Sequence, residues 1–426
     1  MIYNGHGRNP LGRQTKNPIT VRRYVKQDLC GSLTGESHTE FCCVCARFGF
    51  CRRAGKWLAV DGMDGFLECF SGVEDPRSGN ARRHDLQELL VIALCTVLCG
   101  GESCVDMADF AEEKEGFLRE FLALDNGLPS HDTFSRVFRA LEPEQFRRCF
   151  QAFMERFAQT CQGVIAIDGK VLRRSFDAAS AKSALHMVSA WGCEQRLVLG
   201  QIATDAKSNE ITAVPKLLEM LSLKGCIVTV DALNCQRGIA RQIVEQGGDY
   251  ALALKGNQGT LHDDVRRFLD DAAAGKITAP PIVDGDHGRI ETRIATVSTA
   301  IGWLQDNHQW PGLKAIGKVV RRREIGTKTT TETAYYLLSV PTTPERFGQI
   351  VRAHWAVENN LHWTLDVIMN EDQARNRLDN GPNNLAVLRH MALNILNAQK
   401  AKISNRRKIK KAGWNNAFLA ELIAQI

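Results

Sequence analysis

No stretch of this chain is apolar for long enough to cross a membrane. The longest such run, Leu89 to Cys99, falls far short of the roughly 20 residues that a spanning helix needs. Nor is there a secretory signal: Met1 to Lys26 is polar and basic, with no apolar segment inside it. These absences predict a cytoplasmic protein with no membrane partner. Cysteine is absent beyond Cys235 and unevenly spread before it. Five of the fourteen fall in the first 51 residues: Cys30, Cys42, Cys43, Cys45 and Cys51. They lack a matching second C-x-x-C pair, which argues against zinc. The later ones read as small buried apolar residues of a reducing compartment. Strong charge is missing too. A net charge of +6 and a pI near 8.6 permit a nucleic-acid partner without requiring one. No internal repeat or low-complexity tract is visible.

What is present suffices for a large core. The chain has 426 residues, 44% of them apolar and 24% charged, the balance of an ordinary globular protein. Residues 1–62 are rich in Gly, Arg, Asn and Thr and show no sustained period, so they are expected to form a disordered or poorly packed extension. From Met63 to about residue 160 the pattern is helical. HDLQELLVIALCTVLC, 84–99, has the density of a buried helix, and 106–124 alternates charged and apolar faces. SHDTFSRVFRAL, 130–141, starts on cap-type residues and carries Phe134, Val137, Phe138 and Leu141 at helical spacing.

Beyond 160 the period changes. VIAID (164–168), LHMVSAWG (185–192) and RLVLGQIAT (196–204) read as a three-strand meander. A helix (211–223), the buried strand CIVTVD (226–231), a helix (235–246), the strand DYALALK (249–255) and a helix (259–274) follow. The order β-β-β-α-β-α-β-α predicts a mixed α/β sheet, because its last two strands need crossover helices. Residues 276–343 read as a β-rich insertion. Helices return at 345–363 and 383–400, and the C-terminal tail, 401–426, is basic, with seven basic residues between Lys400 and Lys411.

Ligands in open α/β sheets bind at the carboxyl ends of strands, and two strands here end in aspartate: Asp168 and Asp231. Each alone suits a turn cap. Two together repel and raise each other's proton affinity, an arrangement that a divalent cation with hard oxygen ligands makes tolerable. The candidate third carboxylate is Glu358 in HWAVENNLHW, set among Trp355, Leu361 and Trp363, where an unpaired charge is costly. The same segment lacks the H-E-x-x-H spacing of a zinc helix.

These features resemble a DDE transposase core. IAIDGKVLRRS, HMVSAW, KSNEITAVPKLL, IVTVDA, GGDYALALKGNQGTLHDDV, DHGRIETR, HWAVENNLHWTLDV and KKAGW together are similar to the ISAs-type transposases of bacterial insertion sequences, which include the H-repeat-associated proteins. The likeness spans about 63–414 and leaves out the first 62 residues. It implies an α/β fold: an RNase H-like mixed sheet over 161–400 with the β-rich insertion, preceded by an all-helical N-terminal domain, 63–160, that could bind DNA. It implies that Asp168, Asp231 and Glu358 hold two Mg²⁺ ions, with Mn²⁺ able to substitute. It also implies cleavage at the element's ends, strand transfer into target DNA, and a homo-oligomer on double-stranded DNA at the nucleoid. Lys170, Arg173, Arg174, Lys255, Asn257, His287, Arg289 and His354 are the expected DNA contacts. Related transposases carry Tyr, Arg and Lys where this chain has Val351, His354 and Leu365, so the roles of those positions do not transfer. Two other functions stay open on sequence: a DNA-binding relic without catalysis, and a non-mobile nuclease on the same core.

Overall fold

A computed structural model describes residues 63–157, 161–176, 183–204, 210–271, 275–286 and 288–425. The expectations for 1–62, its cysteines included, and for His287 lie outside the described residues.

Six helices come first: α1 (Met63–Phe70), α2 (Leu86–Leu98), α3 (Cys104–Glu113), α4 (Glu115–Leu118), α5 (His131–Ala140) and α6 (Pro143–Phe157). Asp85 starts α2 by accepting from the amides of Gln87 and Glu88, and Ser103 with Asp106 forms a capping box on α3. The single helix expected over 106–124 is broken at Lys114. Ser130 makes no side-chain cap on α5. Phe134, Val137, Phe138 and Leu141 are all buried, as their spacing predicted.

The sheet follows: β1 (Gly163–Val171), β2 (His186–Gly192), β3 (Leu197–Thr204), α7 (Glu210–Glu219), β4 (Cys226–Val230), α8 (Arg237–Glu245), β5 (Asp249–Leu254) and α9 (Thr260–Asp270). β1, β2 and β3 are antiparallel neighbours, while β4 and β5 join parallel to β1. The order β3-β2-β1-β4-β5 is the expected RNase H-like mixed core. The insertion supplies β6 (Ile277–Thr278), β7 (Ile282–Asp286), β8 (Arg289–Ser298), α10 (Gly302–His308), β9 (Ala315–Ile325) and β10 (Lys328–Leu338). It continues the same sheet, because β10 pairs antiparallel with β5 and β9 and β8 follow.

The chain ends in α11 (Pro344–His354), a wider helical stretch over 357–368, α12 (Gly381–Ala398), α13 (Asn405–Trp414) and α14 (Asn416–Ile423). α12 is buried along most of its length and packs on α2, α5, α6 and β3, so the leading helices and the sheet share one core. The basic tail is therefore two packed helices. Lys408 is buried in it, and its ammonium donates to the Leu396 and Gln399 carbonyls that end α12. α11 lies across the other face of the sheet, on β1, β4 and β8. Phe347 of α11 sits over Gly317 of β9, where a Cβ would lie 2.5 Å from the ring. Only glycine allows that approach, and it aims the chain after α11 at the edge of β1 and β4.

Candidate active site

The β1–β4 register pairs Ile167 with Val230. Asp168 and Asp231 are therefore the next residues on two adjacent strands, which lie about 4.8 Å apart in any sheet. The expectation that a strand ends at Asp168 holds on one side only. Toward β4 the pairing stops at Ile167, but toward β2 it continues to Val171. Asp168 is thus held on one edge and open on the other.

Glu358 comes to the same place from the far end of the chain. Its helix changes character at Val357, where i→i+5 bonding begins and runs to His362, resuming from Thr364 to Ile368. Such π-turns concentrate at functional sites because the extra residue re-aims side chains. The expected apolar surroundings of Glu358 are not found. Glu358 is exposed, as are Trp355 and Trp363, and only Val357 and Leu361 point into the core. The widened turn buries those two aliphatic residues and leaves the carboxylate facing a cavity.

That cavity, of about 510 Å³, is lined by Asp168, Asp231, Glu358, His354, His362 and Lys255, among others. Asp168 Oδ1 accepts from the Gly169 amide at 2.9 Å, and its Oδ2 lies 3.7 Å from His362 Nδ1. Asp231 Oδ1 accepts from the Asn234 amide at 3.1 Å. Burial pushes the Asp168 carboxyl up to about 7. The Gly169 amide opposes that rise, and the negative charges of Glu358, Asp231 and Glu210 add to it. Burial also lowers both histidines to about 4, with Lys170 and His390 adding to the effect at His362 and Asp231 opposing it at His354. Both imidazoles are neutral at neutral pH.

The donor set fits a hard divalent cation. It offers three carboxylates, one of them with its proton affinity raised by burial and further by the neighbouring negative charges, and the buried His362 Nε2 has no hydrogen-bond partner. Among the described residues, however, no group of three or more His, Cys, Asp or Glu is arranged to hold an ion as it stands. The carboxylates share a cavity without closing on one point.

The expected DNA contacts divide. Lys255 is exposed at the cavity rim. Arg289 is exposed on a second cavity of about 560 Å³, which shares Trp355 and Glu358 with the first. Arg173 is exposed, 3.5 Å from Asp372, and Arg174 is half-buried. His354 faces inward, its Nδ1 3.0 Å from Thr229 Oγ1. Asn257 donates to the Ala232 carbonyl at 2.8 Å, which fixes the loop after Asp231. Lys170 departs furthest from expectation. Its side chain is only 9% exposed, and its ammonium lies 2.7 Å from Asp366, 2.8 Å from Glu371 and 3.5 Å from Asp372. It is turned away from any phosphate at the cavity and ties the segment after Glu358 to the strand of Asp168. Neither His362 nor Thr229 is among the expected site residues. His362 had a signal, since it follows Glu358 by about one helical turn; Thr229 had none.

Comparison with known proteins places the chain in a family. The family model described as "Transposase DDE domain" matches residues 159–395, and "DDE_Tnp_1-associated" matches residues 67–154. The "H repeat-associated putative transposase YhhI" of Escherichia coli (strain K12) is 39% identical over 370 residues, covering 84% of this chain and 97% of that protein. The "Uncharacterized protein in dhlA 3'region" of Xanthobacter autotrophicus is 46% identical over 277 residues, 63% of this chain and 92% of that protein. Among solved structures, a cryo-EM structure of the piggyBac transposase synaptic complex with hairpin DNA aligns at a TM-score of 0.40 and 11% identity, over 85% of this chain and 78% of that one. That distance is too great to carry an argument.

Proposed function

The chain belongs to the DDE transposase family, of the H repeat-associated kind, and on that premise we propose that it cuts DNA at the ends of an insertion sequence and joins those ends to target DNA. Asp168, Asp231 and Glu358 would hold two Mg²⁺ ions, or Mn²⁺ in their place. Bound there, such ions activate an attacking oxygen and stabilise a leaving one. Everything else falls to the chain. The three carboxylates reach one cavity from β1, the end of β4 and the widened helix, and no side-chain nucleophile is needed because water and then the freed 3′-hydroxyl attack. Lys255 at the rim meets the phosphate backbone, with Arg173 and Arg289 further out. His354 and His362, neutral at working pH, line the cavity without adding charge that would compete for the carboxylates. Double-stranded DNA is the substrate, and a homo-oligomer bridges the two ends on the nucleoid. The helical region 63–160 would assist at the element's ends through the polar face of α5.

The observation that carries this reading is the register of β1 with β4, which brings Asp168 and Asp231 to one cavity that Glu358 also lines. The test is incubation of the purified chain with duplex carrying the element's ends and a supercoiled target in Mg²⁺. Cut ends with free 3′-hydroxyls, then joined products, are expected, and chelation should remove both. Binding of the ends with neither product in Mg²⁺ or Mn²⁺ would instead identify a relic that binds without cutting.

A further inference from the structure

A fourth carboxylate lies behind the other three. Glu210 opens α7 and is 2% exposed, and His186 on β2 is buried to the same degree. Glu210 Oε1 lies 2.5 Å from His186 Nε2. Its Oε2 accepts from Asn234 Nδ2 at 3.0 Å, and the same Nδ2 donates to Asp231 Oδ1 at 2.9 Å. Both amide protons of Asn234 are thus spent on carboxylates. Turning the amide over would set its oxygen against two acceptors, so its orientation is fixed. Asn234 Oδ1 is buried without a hydrogen-bond partner, so nothing on that side competes.

The same buried pair bears on Asp168. At Gly169, the next residue, a Cβ would lie 2.3 Å from His186 Nε2 and 2.5 Å from Glu210 Oε1. β1 can run past this pair only because it has no side chain there. One buried unit, anchored between β2 and α7, therefore sets the position of both strand-borne aspartates.

We propose that Glu210 and Asn234 are positioning residues for the reaction: Glu210, held by His186, orients the Asn234 amide, and Asn234 fixes the Asp231 carboxylate so that Oδ2 is left for the cavity. This rests on the proposed role of Asp231. Groups behind a ligand commonly change metal affinity or activity by about 10- to 100-fold.

Asn234→Asp keeps the shape and replaces two donated hydrogen bonds by repulsion. Asn234→Ala removes them. Both should bind the element's ends as wild type does, while the single-turnover cleavage rate falls by about 10- to 100-fold. Without DNA, the Mn²⁺ concentration that raises the melting temperature should increase by a similar factor. Glu210→Gln should recover most of the rate lost in Glu210→Ala. A glutamine can still accept from Asn234, and its amide can face His186 once the ring proton moves to Nδ1, which has no partner. A folded Asn234→Ala with the wild-type rate and Mn²⁺ midpoint overturns the proposal. If neither Asn234 variant folds, equal rates for Glu210→Gln and Glu210→Ala overturn it. Asp231→Asn run alongside separates the two levels. If it cleaves like wild type, the role of Asp231 has failed; if it is dead while Asn234→Asp is fully active, only the positioning role has failed.

Discussion

Lys170 shows what a single residue can hide. It follows Asp168 by two positions in a basic stretch, so the linear pattern sets it beside a phosphate. Its partners Asp366, Glu371 and Asp372 lie some two hundred residues further on, and nothing local announces a pairing that distant. Removing one member of a buried ion cluster strands the rest, at a cost of about 3–5 kcal/mol. Lys170→Met is therefore expected to lower the unfolding free energy by about that much in urea titrations, while the salt dependence of DNA binding keeps its slope. A phosphate contact would behave in the opposite way, changing the slope by about one with no loss of stability. The sequence singles out Asp168 and Asp231 because each closes a short apolar run, and that signal is local, although β1 itself continues to Val171. Glu358 was singled out by position, but its exposure was not foreseen, since it depends on how the helix around it is wound.

At the scale of elements, the strands of the sheet and most helices matched their periods, because burial on one face leaves a trace in the sequence. Three features left no such trace. The change of winding after α11 is a matter of which carbonyl each amide reaches. The continuation of the sheet from β5 into β10 is an edge-to-edge pairing, and a β-rich insertion reads the same whether or not it joins. The tail's seven basic residues masked the helix α13, which α14 then follows. The docking of α11 gives a test at this scale. Gly317→Ala places a Cβ against the Phe347 ring, and such overpacking costs about 1–3 kcal/mol. Phe347→Leu makes room for it. The double variant is expected to be more stable than the sum of the single losses, and to recover cleavage in step, because the position of Glu358 depends on this contact. Strict additivity would separate α11 docking from the site.

For the whole molecule, α12 matters most. It runs through the core shared by the leading helices and the sheet, and it carries His390 and Arg389 to the charges around Glu371. His390 is 2% exposed. Burial lowers it to about 4, Glu371 pulls the other way, and Lys170 and Arg389 reinforce the drop. The unfolded chain therefore binds a proton at this histidine between about 6.5 and 4 that the folded chain does not. Stability from this source is full above about 6.5 and falls as the pH drops through that window, by on the order of 3 kcal/mol. Glu371, whose carboxyl Lys170 and Arg389 hold below its usual value against burial, adds a loss of the same sign at the acid end. Urea unfolding at pH 7 and pH 4.5 should show the drop, and His390→Gln should make it shallower, leaving the share that His354 and His362, lowered in the same way, carry. An unchanged slope in that variant would mean that other groups carry the acid sensitivity.

The proposed reaction requires the three carboxylates to act together on DNA. The most direct measurement is the single-turnover cleavage rate of a duplex carrying the element's end, in Mg²⁺, for wild type, Asp168→Asn, Asp231→Asn and Glu358→Gln at saturating protein. Each substitution removes one charged oxygen donor and little volume. Each variant is predicted to bind the duplex with wild-type affinity and to cleave it about a hundred- to a thousandfold more slowly, the scale at which loss of one electrostatic contact to the transition state is felt. Wild-type cleavage by any one of the three folded variants would contradict the assignment.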